Sequence, residues 1–143
     1  MNIIDTINII ENSLIAGTQD KNFPLYKICV EKDPFAQLEN KLPFILIEQD
    51  KSKLVTNPQG YAYEYIHSLS LFCVTGAGKE KRDVYTFRAM QIAEGAIELL
   101  SGLNDHRLRI IPDEIVTGEV IVGSAKCYGA KILIDIKTNY KEN

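Results

Sequence analysis

The chain has 143 residues, 45% of them hydrophobic and 24% charged, with a formal net charge of −3 and a pI near 5.4. A chain of that size buries roughly 70% of its unfolded surface in one ordinary core, so one domain spanning 1–143 is expected. Disorder and fibrous repeats are excluded by this balance, and a globally basic nucleic-acid binder by the charge.

At the start, Ile3, Ile4, Ile7, Ile10, Leu14 and Ile15 recur at three- and four-residue spacing, which predicts an amphipathic helix stopping near Gly17. This opening lacks a basic segment followed by an apolar run, so the chain is expected to stay in the cytoplasm where it is made. Phe23 to Val30 reads as a short strand, and Asp33-Pro34 as a turn in which aspartate caps and proline presets φ. Pro43 to Glu48 is apolar on both faces, the pattern of an interior strand. Lys51 to Gly60 reads as a polar loop with a turn at Asn57-Pro58-Gln59-Gly60.

From Tyr61 to Val74 the chain alternates, with Tyr63, Tyr65, His67, Leu69, Leu71 and Cys73 on one face and Ser68 and Ser70 on the other. Thr75 to Asp83 is a charged, glycine-punctuated loop, and Phe87 to Leu100 is a helix rich in alanine and closed by Gly102. Leu108 to Ile111, Glu114 to Val122 and Cys127 to Thr138 read as strands, the first stopped by Pro112. Together these elements predict an α+β fold: a single mixed, mainly antiparallel sheet with two main helices on one face.

The chemistry-bearing residues form no familiar set. Gly76-Ala77-Gly78-Lys79 looks like the end of a phosphate-binding loop, but Cys73 stands where the leading glycine is needed and Glu80 where a hydroxyl would hold magnesium. His67 and His106 have no partner histidine at metal-ligand spacing. Cys29, Cys73 and Cys127 are an odd number without CxxC spacing, so neither disulfide nor zinc is expected. The carboxylate pairs Asp113/Glu114 and Glu48/Asp50 lack a neighbouring oxyanion motif, and no serine sits in a GxSxG setting. No catalytic residue, metal or cofactor is therefore assigned. What remains is basic: Lys79, Lys81 and Arg82 in one loop, with Lys51 and Lys53 in the other, placed to touch phosphates if several copies line a common channel.

Three stretches, Leu42 to Glu48, Tyr65 to Val74 with its glycine loop, and Phe87 to Leu100 followed by strands ending Lys131 to Ile136, resemble the tail terminator (tail completion) proteins of long-tailed bacteriophages. The resemblance implies a non-enzymatic virion protein. It would form a hexameric ring that caps the tail tube, meets the tail tube protein and the head-tail connector, and passes genomic DNA through its lumen without specific binding. Assembly would occur in the bacterial cytoplasm, and no membrane is involved. Lys79, Lys81, Arg82, Lys51 and Lys53 are then candidates for a lumen or assembly surface. The alternatives are another neck or tail ring component, or a small α+β ligand-binding or regulatory module using Tyr61, Tyr63, Tyr65 and His67.

Overall fold

The computed structural model describes residues 1–33, 37–76, 78 and 80–140. In chain order these form α1 (Ile3–Gly17), β1 (Cys29–Glu31), a 3-10 turn (Leu38–Asn40), β2 (Phe44–Thr56), β3 (Ala62–Thr75), α2 (Arg82–Ser101), β4 (Leu108–Val122) and β5 (Ala125–Asn139). The five strands make one mixed sheet in the order β1-β2-β3-β5-β4, parallel between β1 and β2 and antiparallel elsewhere. This is the α+β architecture that the sequence predicts.

Both helices cover the same face. Ile45 and Ile47 of β2, Leu69, Leu71 and Cys73 of β3, and Ala130, Ile132, Ile134 and Ile136 of β5 form a continuous core with Ile10 and Leu14 of α1 and Ala89, Ala93, Ala96 and Leu100 of α2. The three alanines have no exposed surface, and their small side chains let α2 approach the sheet closely. Gly95 does the same for the segment below: a Cβ there would stand 2.6 Å from Leu25 Cδ1 and 3.3 Å from Pro24 Cβ. Each fully buried Leu or Ile contributes about 1.5–3 kcal/mol through removal of apolar surface from water. At one end of the opposite face, Phe44, Val74, Val122 and Cys127 make a smaller cluster covered by Leu38 and Leu42.

Four segments differ from expectation. α2 begins at Arg82 rather than Phe87, taking Arg82 and Asp83 out of the expected loop, and Phe87 is exposed while Tyr85, Ala89 and Ile92 take the buried face. Lys51 to Thr56 is not loop but the second half of β2, paired residue by residue with β3, and the loop shrinks to residues 57–61. Beyond the end of β1 this half of β2 is the sheet edge, and its mostly polar, exposed residues read as loop by composition. Of Phe23 to Val30, only Cys29 and Val30 join the sheet, because Pro24 has no N–H for a ladder and Leu25 is instead buried against α2. Leu108 to Val122 is one strand rather than two: Pro112 lies on the sheet edge, where its missing donor is harmless, and a bulge between Pro112 and Glu114 absorbs the irregularity. The turn expected at Asp33-Pro34 falls partly outside the described residues.

Candidate functional site

The five basic residues singled out in the sequence do not gather into one site within the monomer. Lys51 and Lys53 are exposed on β2, opposite Ser68 and Ile66, on the sheet face away from the helices. The rungs continue from Lys53 through Ile66 and Lys137 to Arg109, so strand register builds a basic row that the linear sequence hides. Arg109 also reaches Glu64 at 3.6 Å. Lys81 and Arg82, the N-cap and first residue of α2, follow the other end of β3, whose last residue Thr75 lies about 30 Å from the Lys53 rung by strand rise. Lys79 lies outside the described residues. The two basic groups are therefore separate features of the monomer.

Of the carboxylate pairs named from the sequence, Asp113 and Glu114 are consecutive residues at the β4 bulge, and Glu48 and Asp50 both neighbour Ser70 on β2; the two pairs lie three strand spacings, about 14 Å, apart, since Glu48 and Glu114 share a rung across β3 and β5. Asp50 accepts from Ser70 Oγ at 3.4 Å. Asp105 behaves as a turn former, its Oδ1 accepting from the backbone of Arg107 at 2.7 Å and Leu108 at 3.1 Å; these contacts, the Arg107 bond first, hold its carboxyl below the usual range. His106 is exposed in that turn. Among the described residues, no three His, Cys, Asp or Glu side chains converge to hold a metal.

His67 occupies a setting that the sequence leaves unspecified. It is fully buried on the helix-facing side, stacked on Tyr65 at 4.9 Å between centroids. Its Nε2 lies 3.1 Å from the Met1 carbonyl oxygen and its Nδ1 2.8 Å from Ser52 Oγ. Because a carbonyl only accepts, Nε2 carries the ring proton and Nδ1 accepts from Ser52 in the neutral ring. Burial pushes the His67 pKa down, against the Met1 hydrogen bond, which raises it. Thr138 Oγ1 donates to the same Met1 carbonyl at 2.8 Å. A serine activated by histidine has this contact, but Ser52 lies mid-strand, and neither residue lines any of the described cavities. The pair is a clasp between β2, β3, β5 and the start of α1.

Two surfaces stand out at opposite ends of the sheet. The first is a cleft of about 820 Å³ between α2 and the segment leading to β1. Phe23, Pro24, Ile28, Pro43, Tyr85 and Ile92 supply its apolar lining. Tyr85 stacks on Tyr128 with an interplanar angle of 10°, and its hydroxyl accepts from the Glu80 N–H at 3.2 Å. Arg88 pairs with Glu80 at 2.9 Å across the rim. A Cβ at Gly78 would sit 2.4 Å from the Tyr85 hydroxyl, so only glycine allows this approach.

The second surface is the β2–β3 hairpin end. Asn57 Oδ1 accepts from Gln59 at 3.1 Å and Tyr61 at 3.0 Å, and Gly60 takes the positive φ of 89° that closes the turn. This ordered turn holds Tyr61 72% exposed, beside exposed Tyr63 and Leu54. Tyr61, Tyr63, Tyr65 and His67 thus do not line a common pocket, since the first two face water and His67 is interior.

No known protein-family model matches the chain, and a search of curated proteins returned no match.

Proposed function

We propose that the protein acts by assembly, as a virion structural component whose ring caps a phage tail tube and joins it to the head connector. The observation carrying this reading is the pair of unlike exposed surfaces at opposite ends of one sheet: the tyrosine-bearing hairpin end, and the cleft with its α2 rim. Two different patches on one subunit are what a head-to-tail contact requires, and head-to-tail contacts generate rings when the rotation closes. The resemblance to tail terminators supplies the hexameric ring, the tube and connector as neighbours, and the virion as location. No described helix is long and apolar enough to cross a membrane. The use of His67 in a buried clasp fits a role without turnover.

Electron microscopy of the purified protein at high concentration tests this reading. Rings with a central opening are expected, with six subunits by mass. A particle that stays monomeric at every concentration, with and without tail tubes, overturns it.

A second reading is favoured by the cleft itself, whose volume falls within the range of small-molecule sites. A ligand-binding module would remain monomeric or dimeric and gain thermal stability from a small molecule seated between Tyr85 and Phe23.

A further inference from the structure

We infer that the hairpin end of one copy seats in the cleft of the next, with Tyr61 and Tyr63 entering between α2 and the Lys21–Pro24 segment. This rests on the assembly reading and identifies the two surfaces that make its contact.

Four observations carry it. Tyr61 and Tyr63 have no covering element in their own subunit, although the Asn57 turn holds the backbone beneath them in one conformation. An exposed tyrosine on a hydrogen-bonded turn is a good anchor for binding, because the ring offers a large contact area for the loss of only two side-chain torsions. The cleft offers the matching receptor, a concave apolar surface of about 820 Å³. Its apolar character continues outward onto α2, where exposed Val84 and Phe87 stand one helical turn from the cleft residues Arg88 and Gln91.

Polarity also matches. Leu54 to Tyr63 contains no charged residue. In the cleft, Arg88 and Glu80 neutralise each other at 2.9 Å, the hairpin end brings no charge that needs a partner there, and the remaining lining charge, Lys21, is an exposed side chain. The hairpin end of the same subunit is excluded as the occupant. The cleft opens at the Thr75 end of β3 and the tyrosines sit at the Ala62 end, roughly 43 Å away by strand rise, so no subunit reaches its own cleft.

The test places the photo-cross-linking residue benzoylphenylalanine at position 61 in the full chain and maps the products by mass spectrometry. Cross-links to residues 21–28 or 85–92 of another subunit are expected. Tyr61→Ser and Phe87→Ser, both at exposed positions, should leave the monomer's thermal unfolding unchanged and weaken assembly by about tenfold or more, the effect of removing an aromatic anchor. Val116→Ser, on the exposed edge strand β4, should leave assembly unaltered. Rings that persist in Tyr61→Ser, with cross-links mapping to β4, overturn the seating and leave the ring reading intact. A reciprocal dimer with the expected cross-links keeps the seating and overturns the ring. Absence of any assembly overturns both, as does a cross-link formed only to a different protein.

Discussion

The imidazole Nε2 of His67 lies 3.1 Å from the carbonyl oxygen of Met1, a contact across 66 positions that ties the start of the chain to the middle of the sheet. With Ser52 on the other ring nitrogen, the neutral form of His67 is fully satisfied, and burial disfavours the charged form.

Stability should therefore depend on pH through this one ring. His67 has its pKa lowered on folding, so the unfolded chain binds the proton more readily. The stabilisation is fully present above the ordinary value of 6.5 and is lost as pH falls below it. The lowered carboxylates Glu31 and Asp105 add their own losses only near and below their ordinary values of 4.5 and 3.8. Urea denaturation at pH 7.5 and pH 5.5 should show lower stability at the acid value. His67→Ala should cost about 2 kcal/mol at pH 7.5, by emptying a fully buried position and removing one of the two donors to the Met1 carbonyl, and should remove most of the difference between the two pH values.

Gly95→Ala separates helix propensity from packing. In an exposed helix the change stabilises by about 1 kcal/mol. Here the new methyl group meets Leu25, which is fully buried and has no room to swing, and the rigid ring of Pro24. The variant should be less stable than the native chain by about 1 kcal/mol, because overpacking costs about 1–3 kcal/mol. Equal or greater stability in a denaturant titration would show that α2 can lift from the 23–25 segment without cost.

Thiol labelling should follow burial. Cys73 is fully buried and its pKa is pushed up to about 12 by burial, and Cys127 is buried and shifted in the same direction. Cys29 is only half-buried. Brief iodoacetamide treatment of the native protein, followed by peptide mapping, should modify Cys29 alone, whereas urea should expose all three. Labelling of Cys73 without denaturant would show that β3 separates from α2 in the native state.

The basic residues at the start of α2 carry the DNA hypothesis. With Lys81 and Arg82 changed to glutamate, together with Lys79, rings should still form, but DNA delivery by particles containing them should slow, since like charge repels the passing phosphates. Unchanged delivery would remove these residues from the lumen and leave the ring in place.

Local pattern was enough to determine much of this protein. The stripe from Ile3 to Ile15, the alternation from Tyr63 to Cys73 and the alanines at 89, 93 and 96 each carry a period set by backbone geometry, so helix and strand are legible before folding, although Ile4, Ile15 and Tyr63 of those stripes face water. Lys51 to Thr56 reads as loop because this exposed edge stretch of β2 has no apolar side chains alternating to reveal its period. Relations between distant residues were decided only by tertiary structure. The Met1–His67–Ser52–Thr138 clasp, the Lys53–Lys137–Arg109 row and the cleft between Phe23 and Tyr85 each depend on strand order, register and helix placement. Side-chain period is a local property, whereas which strand lies beside which is set by burying the faces of all the elements at once.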